Sequence, residues 1–130
     1  MKRNVTLTIS SLLANVLGMF HVTDDTLHTK AGTDLQGTVI LLLIMFVMLY
    51  GTVELGGRRW GYLIMFLGGL GALAMPFLHG LGPSATRWGF FFVWTLFALG
   101  VTGAFTAVLS ARELWRSFRD RASPRPQRPA

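Results

Sequence analysis

Apolar residues run through this chain in four blocks, each ended by a short polar stretch. The blocks cover residues 5–22, 37–55, 61–79 and 88–112, and a helix needs roughly 20 mostly apolar residues to cross a bilayer. The pattern predicts an all-α, polytopic membrane protein whose residues 1–112 form an antiparallel four-helix transmembrane bundle. Residues 113–130 then remain as a short amphipathic extension and a basic tail.

Each block carries its own internal order. In the first, Thr8, Ser11, Asn15, Gly18, Val22 and Asp25 recur at steps of three and four, which lines one helix face with small or polar side chains. Such a face is costly against lipid and belongs inside the bundle. Asn15 is expected to find a partner there, because an unpaired amide at mid-depth is poorly tolerated. The third block repeats the spacing with Gly61, Met65, Gly68, Ala72, Met75 and His79, and Pro76 is expected to kink it near its end. The fourth opens on Trp88, Phe90, Phe91, Phe92 and Trp94, an interfacial aromatic belt, and continues with Gly100, Gly103, Ala107 and Ser110 as a close-packing stripe. The second block is nearly featureless until Tyr50, Thr52 and Glu54, so it has most contact with lipid. Gly56-Gly57-Arg58-Arg59 makes a tight hairpin, with Glu54 expected to pair with Arg58 or Arg59.

Past Ser110, the residues Ala111, Leu114, Trp115 and Phe118 share one face and Arg112, Arg116 and Arg119 the other. This reads as an amphipathic segment in the headgroup region, each arginine contributing about 1 kcal/mol of attraction to anionic lipid. The stretch from Ser123 to Pro129 is rich in proline and arginine and reads as a disordered tail.

Composition agrees with the pattern. Charged residues are 14% of the chain and hydrophobic ones 52%, and 130 residues leave no room for a separate soluble catalytic domain. With no cysteine, thiolate metal sites and thiol redox chemistry are excluded. A net charge of +6 suggests nucleic acid in a soluble protein, but the positions argue for orientation in a membrane instead. Lys2, Arg3, Arg58, Arg59, Arg112, Arg116, Arg119, Arg121, Arg125 and Arg128 fall on one side, and only Lys30 and Arg87 on the other. The positive-inside rule places both termini in the cytoplasm. A cleaved signal peptide over the first 25 residues is the competing reading. Thr6, Thr8, Ser10, Ser11 and Asn15 dilute its apolar core, and no small-x-small cleavage site follows.

One constellation offers chemistry. His21, Asp24, Asp25 and His28 form H-x-x-D-D-x-x-H, which falls on one face if the first helix continues that far. The topology brings His79 to the same, extracytoplasmic surface. His21, Asp25, His28 and His79 are therefore candidate ligands for a divalent metal, zinc first. The other reading is a structural hydrogen-bond network, with His79 before Gly80 as a helix C-cap. Haem between His21 and His79 would find little depth to enclose a porphyrin.

The phrases His21-Val-Thr-Asp24-Asp25, Tyr50-Gly51-Thr52, Gly68-Gly69-Leu70, Met75-Pro76-Phe77-Leu78-His79 and Gly89-Phe90-Phe91-Phe92-Val93-Trp94-Thr95 resemble those of small four-span bacterial membrane proteins that carry no assigned function. The resemblance covers nearly the whole membrane part and leaves out the tail. It implies the bacterial inner membrane and supplies no activity. In size the chain is also similar to the DoxX-like group.

Three functions follow from these readings. The first is an accessory or interaction subunit that packs through its Gly/Ala faces against a membrane protein partner or a second copy, among membrane lipids and without nucleic acid. The second is a metal-binding intramembrane enzyme built on the His/Asp cluster, although no nucleophile stands beside a base. The third is a small transporter, against which every acid sits at or beyond a span end.

Overall fold

A computed structural model describes residues 4–28, 35–80 and 89–122 of the chain. They form four helices: α1 (Val5–His28), α2 (Leu35–Val53), α3 (Arg59–Gly80) and α4 (Phe90–Ala122). All four are long and apolar enough to cross a membrane, and the chain is a multi-pass membrane protein by length and composition of its helices. The first helix does continue to His28, so the H-x-x-D-D-x-x-H sequence is helical throughout.

Contacts between neighbours run antiparallel. Ser10 meets Thr106 and Asn4 meets Glu113, so α1 and α4 oppose each other. Ser11 meets Thr52 across α1 and α2. Arg59 at the start of α3 reaches Ser117 near the end of α4. Among the described residues α2 touches α1 and α3 but not α4, which sets the four helices in cyclic order.

The predicted inward stripes face inward. Ser11, Asn15 and Val22 of α1, Gly61 and Met65 of α3, and Gly100, Gly103, Ala107 and Ser110 of α4 are buried. The α3–α4 contact is the most extensive in the bundle, and glycine is what lets it close. A Cβ on Gly69 would stand 2.7 Å from the Ala107 nitrogen, and one on Gly103 2.7 Å from the Leu73 nitrogen. No heavy atom tolerates such approaches, so any side chain there would push the helices apart. The Pro76 ring sits where a side chain on Gly100 would be, 2.9 Å from that position. The α2 helix has the smallest buried share of the four spans, 17% against 44% for α4, as its uniform apolarity predicts.

Buried hydroxyls are bonded within the bundle. Thr52 donates to the Met48 carbonyl (2.7 Å) and accepts from Ser11 (2.7 Å); Thr106 donates to the Thr102 carbonyl (2.8 Å) and accepts from Ser10 (2.8 Å). Each threonine has one hydroxyl proton, and its use on the backbone fixes the direction of the bond between helices.

At the end of the bundle where α1 begins, Asn4 caps that helix by accepting from the Leu7 N–H (3.2 Å), and its amide nitrogen donates to Glu113 Oε1 (2.9 Å). Glu113 also accepts from Arg116 (3.1 Å). Helix α4 continues through the amphipathic extension beyond Ser110. At about 1.5 Å per residue its 33 residues span about 50 Å, longer than a hydrocarbon core of about 30 Å. It turns Glu113 and Ser117 inward and leaves Trp115 and Phe118 exposed.

One expected ion pair is not formed. Glu54 is exposed and makes no ion pair among the described residues; Arg59 instead donates to the Ser117 carbonyl (2.8 Å) and lies over the Phe118 ring (5.1 Å). The hairpin between them turns sharply at Gly57, whose φ of 87° is the left-handed backbone that glycine adopts without strain. That turn directs Arg59 toward α4.

Candidate functional site

The opposite end of the bundle holds a pair of imidazoles. His21 comes from α1, on the face shared with Leu7, Ala14 and Leu17, and is 3% exposed. His79 ends α3, on the face shared with Met75. Their ring centroids are 4.7 Å apart and the planes nearly perpendicular, at 83°. Phe92 closes the third side, 5.3 Å from His21 and 5.7 Å from His79. It belongs to the run read as an interfacial belt. Phe90, Phe91 and Trp94 do face outward, while Phe92 is buried.

The hydrogen bonds of the pair define what the rings offer. His79 Nδ1 lies 3.1 Å from the Met75 carbonyl oxygen. A carbonyl only accepts, so Nδ1 carries a proton, and in the neutral ring Nε2 is the nitrogen with the lone pair. This is the arrangement by which a protein fixes the tautomer of a ligating histidine. It also satisfies a carbonyl in the last turn of α3, as a C-cap would. His21 Nδ1 is buried without a hydrogen-bond partner among the described residues, a condition that costs about 1–3 kcal/mol unless something else compensates it.

Of the other two candidates, Asp25 acts electrostatically on His21. Asp25 is half-buried on α1, one turn beyond His21, beside the half-buried Asp24. His28 is the last residue of α1, and its side chain lies outside the described residues. Among the described residues no group of three histidine, aspartate or glutamate side chains comes together to hold a metal ion.

Below the pair, toward the middle of the bundle, is a cavity of about 70 Å³ with walls from all four helices. His21 and Asn15 line it from α1, Met45 and Met48 from α2, and Met75 from α3. Asn15 was expected to be paired. It is buried, yet its Nδ2 has no hydrogen-bond partner. The two buried, unpartnered side-chain nitrogens of the described residues therefore border one space. No single-residue signal marked Met45, since a methionine within a uniformly apolar helix breaks no pattern. Met75 was visible as a member of the inward stripe of α3.

A second buried polar group lies at the other end, where Tyr62 is 1% exposed and its hydroxyl has no partner. Glu113 is the one buried carboxylate among the described residues, and Asn4 and Arg116 already bond it. These residues tie helix ends together.

Compared with known proteins, the chain matches no protein-family model, no curated protein and no solved structure.

Proposed function

We propose that this chain is a small integral membrane protein that binds a metal ion at the His21–His79 pair. The observation that carries the reading is the pair itself. Two imidazoles from different helices meet with 4.7 Å between ring centroids, and one of them is almost wholly buried with a ring nitrogen that nothing bonds. A purely structural histidine pair would be expected to spend its nitrogens on neighbours. Asp25 lies one turn beyond His21 on α1 and acts on it electrostatically, and His28 ends the same helix. The distribution of basic residues, ten against two, supports a plasma membrane orientation with both termini in the cytoplasm and the pair at the extracytoplasmic end.

The role is binding rather than catalysis. The buried serines and threonines are held by backbone carbonyls and by one another, so none is poised as a nucleophile. A bacterial inner membrane remains the expected home.

An accessory subunit is the second reading, carried by one remaining surface. Most glycines of the Gly/Ala stripes are spent inside the bundle, at Gly69, Gly100 and Gly103. What stays open is the outer groove between α2 and α3, about 390 Å³, where Gly71 has nothing near its Cβ position. A partner or a second copy would pack there.

Metal analysis of protein purified in lipid nanodiscs tests the main reading. About one equivalent of metal per chain is expected, reduced in both His21→Ala and His79→Ala. Folded protein that neither retains a transition metal nor gains thermal stability from added zinc, copper or silver contradicts it.

A further inference from the structure

We infer that the metal held here is a soft monovalent cation, copper(I) in class, and that Met45 and Met75 complete its site with thioether sulfur. This rests on the imidazole-pair reading and says which ion the pair takes.

Three of the chain's six methionines border the cavity beneath His21. Met45 reaches it across Gly18. The Met45 sulfur lies 3.7 Å, and its methyl 3.2 Å, from the place a Cβ on Gly18 would occupy. Gly18 precedes His21 by one helical turn, so the absence of a side chain there brings a thioether onto the imidazole's own face. Met75 precedes His79 by four residues and accepts its Nδ1 proton on the backbone. Its side chain and the His79 ring therefore issue from one face of α3, and both Met75 and His21 border the same space. His21, Met45 and Met75 thus border one space, and the His79 ring lies against that of His21.

Methionine often serves only to fill irregular gaps in a core. Met65 does that: it is 2% exposed and packed with Leu7 and Tyr62. The cavity methionines line a space that His21 and Asn15 also border, and Nδ1 of the one and Nδ2 of the other are buried without a partner among the described residues. Packing alone does not account for two such buried nitrogens beside one space.

Charge and softness then select the ion. Thioether is a soft ligand that favours copper(I), whereas zinc is served by imidazole, carboxylate and thiolate. No three histidine or carboxylate side chains assemble for zinc among the described residues, and cysteine is absent. All four proposed ligands are neutral, and the negative charges that act on His21 are those of Asp24 and Asp25, one turn on along α1. The cost of placing an ion in a low-dielectric interior rises with the square of its charge. A monovalent ion incurs a quarter of the divalent cost on the same ligands.

The experiment titrates full-length protein in nanodiscs with silver(I), a redox-inert probe for copper(I), and in parallel with zinc(II). Bound metal is counted after desalting. Met45→Leu and Met75→Leu conserve volume and should leave the fold intact, which circular dichroism and gel filtration verify; Met65→Leu is the control. The expected result is one silver(I) per chain, with affinity at least tenfold lower in the Met45→Leu/Met75→Leu double variant and unchanged in Met65→Leu. Equal silver affinity in the double variant and the parent overturns the proposal. So does preferential zinc binding that needs both histidines and neither methionine, a result that leaves the imidazole-pair reading standing. Failure of folded protein to bind either ion removes both.

Discussion

His79 holds its Nδ1 proton on the Met75 carbonyl, 3.1 Å away, and sets its ring perpendicular to that of His21. One hydrogen bond inside the last turn of α3 thus orients a side chain toward α1. The bond spends one nitrogen of His79 and leaves the other, while His21 keeps Nδ1 without a partner. A site made for ligand binding carries such unspent polar groups at a cost in stability.

His21→Leu should therefore separate stability from binding. It removes a buried nitrogen whose lack of a partner costs about 1–3 kcal/mol and fills similar space with an apolar side chain. Metal-free protein should melt at the same temperature as the parent or a few degrees higher, while metal retention falls below a tenth. Thermal denaturation with parallel metal analysis reads both. A large loss of metal-free stability would mean that the His21 ring is a structural member of the bundle.

Glycines divide by position. Gly103→Ala puts a methyl against the Leu73 nitrogen and should destabilise the α3–α4 contact by about 1–3 kcal/mol. Gly71→Ala meets nothing within 4 Å and should be neutral or slightly stabilising through helix propensity. Unfolding of the two variants in mixed detergent micelles compares them directly. Equal effects would contradict the described helix packing.

Asn4 has two duties that substitution can resolve. Asn4→Ser keeps a capping oxygen for the Leu7 N–H and loses the bond to Glu113; Asn4→Ala loses both. The cap is worth about 1 kcal/mol, and a hydrogen bond to a carboxylate about 1.5–3 kcal/mol. Alanine should cost more than serine, and Glu113→Gln should cost less than Glu113→Ala because an amide oxygen still accepts from Asn4. Chemical denaturation of the four variants checks the ranking.

Orientation is open to a reporter assay. A phosphatase fused after Ala130 should be inactive and a fluorescent protein there bright, as cytoplasmic termini require. A phosphatase in the loop between α1 and α2 should be active. The reverse pattern would move the imidazole pair to the cytoplasmic face.

Much of this architecture was legible in the chain because periodicity and apolar length survive without tertiary context. The stripes through Asn15 and Met75 pointed inward, and His21 and His79 were placed at one end. Three features were not legible, each for a physical reason. Beyond Ser110 the pattern of Leu114, Trp115 and Phe118 against arginines reads as an amphipathic extension but does not show that Glu113 and Ser117 turn inward. The reason is that Asn4, which bonds Glu113, and Arg59, which bonds the Ser117 carbonyl, come from distant parts of the chain. Met45 carries no signal in α2, where apolar residues surround it on every face and only Gly18 of another helix reveals its role. Glu54 lies beside two arginines in sequence, but the Gly57 turn carries Arg59 away to α4.

The meeting of His21 with His79 can be measured without any metal, because the chain has no cysteine of its own. His21→Cys/His79→Cys protein in native membranes would be treated with a short bifunctional thiol reagent, with a monofunctional maleimide as the control for access. The account expects an intramolecular cross-link in the double variant that neither single variant gives, and none when position 79 is replaced by position 71 on the outer groove. Two thiols that both react with maleimide and yet never join would contradict it.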